Sequence, residues 1–183
     1  MESSRGQSSL VSAVLISAVE DVLLQGRALL GKVDDDSYTW KDGAGCGASL
    51  GMHYRHVLEH FQCLLEGMGN GRVDYDQRRR SSKLENSVEA ALLATNDLME
   101  RFRHLPADAL PRACAVIYSV GYRDNGNAEV PSSVAREIMF CVGHAFHHYA
   151  LLKPLCAQLR VPLPYEFGVA PSTLQHMETH GAH

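Results

Sequence analysis

Apolar side chains recur at a helical period in four stretches of this sequence, which leaves few architectures other than a bundle of helices. In residues 8–31 they stand at positions 10, 11, 14, 15, 18, 19, 22, 23 and 30, and Gly31 with Asp34-Asp35-Asp36 ends the stripe. A second helix is expected over 49–66, after a glycine-rich loop from Gly43 to Gly47 and before Gly67-Met68-Gly69-Asn70-Gly71. These glycines lack the GK[ST] ending of a phosphate loop and read as punctuation. A third helix over 83–104 opens on a capping box, Ser82-x-x-Glu85, in which serine and glutamate each satisfy an orphan backbone donor, and it ends near Pro106. A fourth over 132–153 follows Pro131 and reaches Pro154, which kinks or ends it. Between the last two, Cys114 to Tyr122 is β-branched and aromatic and runs into Asp124-Asn125-Gly126, predicting a strand or small hairpin near 114–120.

The expected fold class is therefore all-α, a four-helix bundle with one short β element between helices 3 and 4. The connection from the second to the third helix, roughly residues 67–81, is long enough to run back along a helix, so its two neighbours can lie parallel. Residues 1–170 read as a single domain. Residues 161–183 contain Pro162, Pro164 and Pro171 with little periodicity, and 171–183 reads as a flexible tail.

With 183 residues and 45% hydrophobic content the chain can build one real core. A net charge of −4 and the lack of a basic stripe interleaved with aromatics argue against nucleic acid as a partner. The five cysteines, Cys46, Cys63, Cys114, Cys141 and Cys156, are odd in number and follow no CxxC spacing. Together with a start that shows no signal-peptide pattern, they predict reduced thiols and a cytoplasmic location. No apolar run is long enough to span a bilayer, so no membrane association is expected.

Six of the ten histidines fall in two short clusters. His53, His56 and His60 lie in the second helix, and His144, His147 and His148 in the fourth. Each cluster holds an i, i+4 pair, the spacing by which one helix face offers two imidazoles to one metal ion. At 100° per residue, His148 shares an arc of about 20° to 80° from His144 with Val134, Glu137, Cys141, Leu152 and Leu155, while His147 falls on the flank. Adjacent histidines cannot both face one small site, so the pair expected to bind is His144 and His148. In the second helix, His53 and His60 sit nearer the centre of the apolar sector than His56, and periodicity favours one of those two as third ligand. Glu137 is a carboxylate on a core face, which implies either a partner cation or polar pocket, or a position at the edge. Cys141, one turn before His144, reads as a small hydrophobe or a fourth ligand.

His56-Val57-Leu58-Glu59 and His144-Ala145-Phe146-His147-His148 resemble the ligand motifs of the DinB superfamily, a histidine followed by hydrophobic and acidic residues on the second helix and H-x-x-x-H on the fourth. Helix count, the long crossover and the irregular segment before the last helix extend the resemblance over nearly the whole chain. It implies an up-down-down-up bundle and a metal site of His56, His144 and His148 with open positions, with His60 and His53 as substitutes. Glu59, Glu137, Cys141 and His147 would surround it. Zinc, nickel and ferrous iron all suit imidazole ligands. In thiol-using relatives the metal is thought to deprotonate a low-molecular-weight thiol, and a homodimer is also implied.

The crossover Val73-Asp74-Tyr75-Asp76-Gln77-Arg78-Arg79-Arg80 offers Asp74, Tyr75, Asp76, Arg78 and Arg80 to line the mouth of the site, with Asp76, Arg78 and Arg80 as substrate contacts and an arginine holding an anion bidentately. Solvated loop charges are the plainer alternative. The leading functional expectation is a metal-dependent enzyme, a thiol transferase or hydrolase acting on a small-molecule substrate. The alternative is a non-catalytic metal- or ligand-binding bundle, induced by stress or damage.

Overall fold

The computed structural model describes residues 2–41, 47–106, 108–121 and 126–181, with side chains from residue 10 onward. The expected loop at Gly43 to Cys46 and the turn at Asp124-Asn125 lie outside the described residues. Four long helices carry the architecture: α1 (Glu2–Leu30), α3 (Leu50–Gly67), α5 (Val88–Arg103) and α6 (Val134–Gln158). Shorter helices are α2 (Asp35–Thr39), α4 (Ser82–Asn86) and α7 (Pro171–His180). Among the described residues no helix is long and apolar enough to cross a membrane.

Side-chain pairs give the helix directions. Tyr54 bonds Thr95 at 2.9 Å and Phe61 meets Phe102 at 5.6 Å, so α3 and α5 run parallel. Arg27 reaches Asn96 and Glu20 pairs with Arg103, so α1 opposes α5. His53 meets His148 and His60 meets Phe140, so α6 opposes α3. The result is up-down-down-up, with the core filled by Val22, Leu23, Leu58, Phe61, Leu98, Phe102, Ile138 and Leu152.

The crossover is more ordered than a loop. β1 (Arg72–Asp74) pairs in parallel with β2 (Ala113–Ser119), which pairs antiparallel with β3 (Asn127–Ser133), giving a three-stranded sheet in the order β1-β2-β3. The expected hairpin is thus present and gains a third strand. Pro131 sits on β3, an edge strand, where a missing N–H is tolerated. A 3-10 turn, Tyr75–Gln77, follows β1.

The third helix is not the single element expected over 83–104. Ser87 adopts extended backbone (φ −135°, ψ 119°) and divides it into α4 and α5. The Ser82 capping box is also corrected. Ser81 caps α4 by accepting from the Leu84 amide, Ser87 caps α5 by accepting from that of Ala90, and Glu85 is drawn away to Arg55. On α6, Ser133 is the cap and helix starts at Val134, two residues later than read. Pro154 does not end the helix; it removes one ladder bond, and burial of Leu152 and Cys156 on either side offsets the loss. The tail is helical over Pro171–His180, with proline at its start and Gly181 in the left-handed conformation at its end.

α4 seats directly on α3 at Gly51. A Cβ there would collide with the Glu85 carbonyl oxygen and stand 2.9 Å from the Tyr38 ring. The Tyr38 hydroxyl also donates to the Leu84 carbonyl at 3.0 Å, so the backbone of α4 has little room to retreat. Gly51→Ala is expected to cost about 3 kcal/mol, the upper range for overpacking, read as a lower urea midpoint. A loss below about 1 kcal/mol would mean that α4 moves freely.

Candidate metal centre

α3 begins at Ser49, whose hydroxyl accepts from the Met52 amide at 3.1 Å. Tyr54, Val57, Leu58, Phe61 and Leu64 bury one face of α3, while His53, His56 and His60 meet α6. α6 answers with His144 and His148, packed beside the buried Cys141, Ala145 and Tyr149.

The ligand nitrogens of His56, His60 and His144 lie within 4.8 Å of one another. His56 Nε2 and His144 Nε2 are 3.0 Å apart. Two nitrogens that share one ion at ~2.0–2.1 Å stand at about this separation. His60 touches both rings, at centroid distances of 4.4 Å from His56 and 4.2 Å from His144. Its Nδ1–H donates to the His56 carbonyl at 2.8 Å, leaving Nε2 with a free lone pair. His148 also touches both, at 4.6 Å and 4.5 Å, but its Nδ1 faces His53 Nδ1 at 2.9 Å. The central pair is therefore flanked by His60 and His148. His147 is exposed, as its flank position requires.

The electrostatics favour neutral imidazoles. Burial, reinforced by neighbouring histidines, lowers His56 to about 2 and His148 to about 3. His144 falls to about 4 for the same reasons, and burial takes His60 to about 4. The unfolded chain takes up protons below its ordinary value of 6.5, whereas the folded protein resists them until much lower pH. The unfolded state thus binds more protons in that window, and stability falls as pH is lowered through it. The metal-free protein is expected to lose urea resistance between pH ~6.5 and ~5, above the ordinary carboxylate range, with no matching change from pH ~8 to ~7. A midpoint that stays flat down to pH ~5 would contradict this.

A polar wall borders the histidines. Tyr75, carried in from the crossover, stacks on His60 at 5.3 Å and meets Phe140 at 5.2 Å. Its hydroxyl donates to Glu137 Oε2 at 3.0 Å, and burial raises the phenol far above its usual range. Glu137 is fully buried, and its Oε1 accepts from Ser132 (2.5 Å) and Arg136 (3.0 Å). Of the two settings open to it in the sequence, Glu137 thus takes the buried, partnered one and not the edge. Cys141 packs against the Tyr75 hydroxyl at 3.6 Å and is pushed up to about 12 by burial. It lies outside the converging group of His56, His60 and His144. The described cysteines, Cys63, Cys114, Cys141 and Cys156, are all free thiols.

Glu59 is bound to Arg55 and to the crossover. Its Oε2 accepts from Arg55 at 3.0 Å and its Oε1 from the Ser81 amide at 2.7 Å, which ties the crossover to α3. Among the crossover residues, Arg78 Nη1 donates to the Tyr75 carbonyl, and Asp76 Oδ2 accepts from the Ser119 amide at 2.6 Å. Arg80 is exposed, with a positive φ of 48°. Arg78 acts electrostatically on His56 and His60, and Asp76 on His60. Sequence reasoning missed Phe140, which stacks on His144 at 5.6 Å; its i, i+4 spacing to that histidine was the available signal. It also missed Arg55, which a wheel of α3 leaves among ordinary surface charges.

No family model matches the sequence. Over 106 residues the chain is 32% identical to FK506-binding protein 5 of Rhizopus delemar, a match that covers 58% of this chain and 28% of that protein. The chain thus spans less than a third of that relative's length. Among solved structures, a DinB-like protein from Bacillus subtilis matches with a TM-score of 0.63 over 84% of this chain and 97% of its own, at 15% identity. The fold is DinB-like. A second DinB-like protein, from Bacillus cereus, matches with a TM-score of 0.52 over 82% of this chain and 93% of its own, also at 15% identity. Identity this low carries the DinB-like architecture alone, and the chemistry rests on the histidines of this chain.

Proposed function

We propose that this DinB-like bundle holds a divalent metal ion at its histidine cluster and uses it to activate a thiol or a water toward a small electrophile. The observation that carries the reading is the convergence of the His56, His60 and His144 nitrogens within 4.8 Å. The donor set fits: neutral imidazoles suit zinc, nickel and ferrous iron. The two flanking rings each have their other nitrogen committed, His60 to the His56 carbonyl and His148 to His53, which fixes ring orientation as outer partners of metal ligands do. In this reading His56 and His144 are the central ligands and His60 is the third. His148, which the family resemblance implies, is its rival.

Bound there, a divalent ion supplies the positive charge that lets a thiol or water ionise at neutral pH. The residues of the chain keep the imidazoles unprotonated, wall the site with Tyr75 and Phe140, and hold their rings in place. The second reading, a non-catalytic metal-binding bundle, is favoured by the crowding of both His60 and His148 against the central pair, because a fourth protein ligand closes a site. The homodimer, proposed on the resemblance, is decided by sedimentation.

Elemental analysis of the purified protein is expected to find about one equivalent of metal. In the cobalt-substituted protein, a low-molecular-weight thiol at roughly millimolar concentration is expected to change the visible spectrum. Absence of metal under excess ion sinks the whole reading. An unchanged spectrum in cobalt-loaded protein rejects the thiol chemistry and promotes the binding module.

A further inference from the structure

The C-terminal segment builds a second cleft, on the side of α6 turned away from the histidines. Phe167 is buried and stacks on Tyr149 at 5.1 Å. Gly168 follows at a φ of 64°, where a Cβ would stand 2.6 Å from the Ala150 nitrogen, and its amide donates to Gln25 Oε1 on α1 at 3.0 Å. These contacts pin the segment across α1 and α6 and place the start of α7 against them. A cleft of about 390 Å³ is left between the three helices, within the roughly 300–1,000 Å³ typical of small-ligand sites. Ala18 of α1, Val142 and Phe146 of α6, and Val169 and Leu174 of the returning segment give it apolar walls. Val142 and Phe146 stand two residues before and after His144, about 200° around the helix, so the cleft shares no residue with the metal centre. α7 buries no side chain of its own, and its Pro171 and Leu174 border the cleft.

Charge decides what such a cleft can take. Asp21 and Glu166 border it, and no lysine, arginine or histidine does. Among the described residues neither carboxylate is paired with a cation. The same two residues also border an adjoining space of about 250 Å³ that reaches Lys32, but the ammonium there donates to the Pro162 carbonyl at 2.7 Å. Both acids are exposed, so each adds a modest attraction, and contact with the apolar walls supplies the rest. A bare metal ion would leave those walls empty, and an anion would be opposed by the carboxylates. We propose that this cleft binds a small organic cation, an ammonium group joined to an alkyl or aryl body. The charge lies toward Asp21 and Glu166, and the body lies against Val142, Phe146 and Leu174. Nothing in this site depends on a metal among the histidines.

Phenethylammonium is the probe, with 2-phenylethanol as an uncharged counterpart of nearly the same shape. Each is titrated into the full chain and followed by calorimetry and by the methyl resonances of Val142, Val169 and Leu174. Saturable binding of the ammonium that shifts those methyls is expected, with the alcohol about tenfold weaker. Asp21→Asn and Glu166→Gln are each expected to weaken the ammonium about threefold to fivefold, and the double variant about tenfold, while the alcohol binds as before. Both positions are exposed and unpaired, so helical circular dichroism should not change. An alcohol that binds as tightly as the ammonium overturns the proposal, as does an ammonium affinity unchanged in the double variant. Shifts confined to the histidine rings, or no saturable binding at all, overturn it too. If the same methyls shift with protein concentration and not with the probe, the occupant is a second copy of the chain and the proposal falls.

Discussion

Replacing His56 or His144 by alanine is expected to lower affinity for a divalent ion by more than about 100-fold, since losing even an outer partner of a ligand costs roughly 10–100-fold. Their Nε2 atoms face each other at 3.0 Å, and both flanking histidines touch both of their rings. The flanking pair should separate. His60→Ala removes the third converging nitrogen and is expected to match the central variants. His148→Ala removes a ring tied to His53 and is expected to cost about tenfold, as an outer partner does. His147→Ala, at an exposed position, should leave affinity within about threefold. Competition with a chromophoric chelator gives the affinities, and mass spectrometry after dialysis gives the stoichiometry. If His148→Ala abolishes binding and His60→Ala does not, the third ligand is the one implied by the resemblance. Full occupancy in His56→Ala or His144→Ala would put the site elsewhere.

The bundle was legible because burial imposes its period on the sequence. Val19, Val22 and Leu23 on α1, or Val134, Cys141 and Leu152 on α6, are fully or almost fully buried where the apolar stripe ran. The length of the crossover likewise allowed the parallel α3 and α5. What escaped was set by single contacts. The break at Ser87 falls inside a stretch where Leu84, Val88 and Leu92 keep helical spacing, and only the two serine caps reveal it. β1 is three residues long and buries Val73 alone, with a partner strand far along the chain. A helical wheel tells which face a histidine is on and not how its ring is turned. It therefore ranked His60 and His53 ahead of His56 on α3, although His56 stands at the centre of the cluster. Tyr75 was legible as a residue at the mouth of the site, but it belongs to a segment with no period, so its stacking on His60 had no signature of its own.

Arg55→Ala is expected to destabilise the fold by about 3–5 kcal/mol, the usual cost of stranding a buried ionic partner. Arg55 contacts Glu59 through Nη1 and Glu85 through Nε, each at 3.0 Å. The Glu59 side chain is only 1% exposed, against 27% for Glu85, so nearly all of the cost belongs to Glu59. That carboxylate cannot leave easily, because its other oxygen holds the Ser81 amide at 2.7 Å and with it the end of the crossover. Charge and packing are separable by a second change. Adding Glu59→Gln to Arg55→Ala removes the stranded charge while its amide oxygen still accepts from Ser81. The double variant is expected to recover all but about 1 kcal/mol, close to the value of a neutral hydrogen bond. Urea unfolding of the three proteins at pH ~7 gives the comparison. A single-variant loss under about 1 kcal/mol would mean that solvent reaches Glu59. A double variant no more stable than Arg55→Ala would assign the loss to the contacts of the arginine stem and not to its charge.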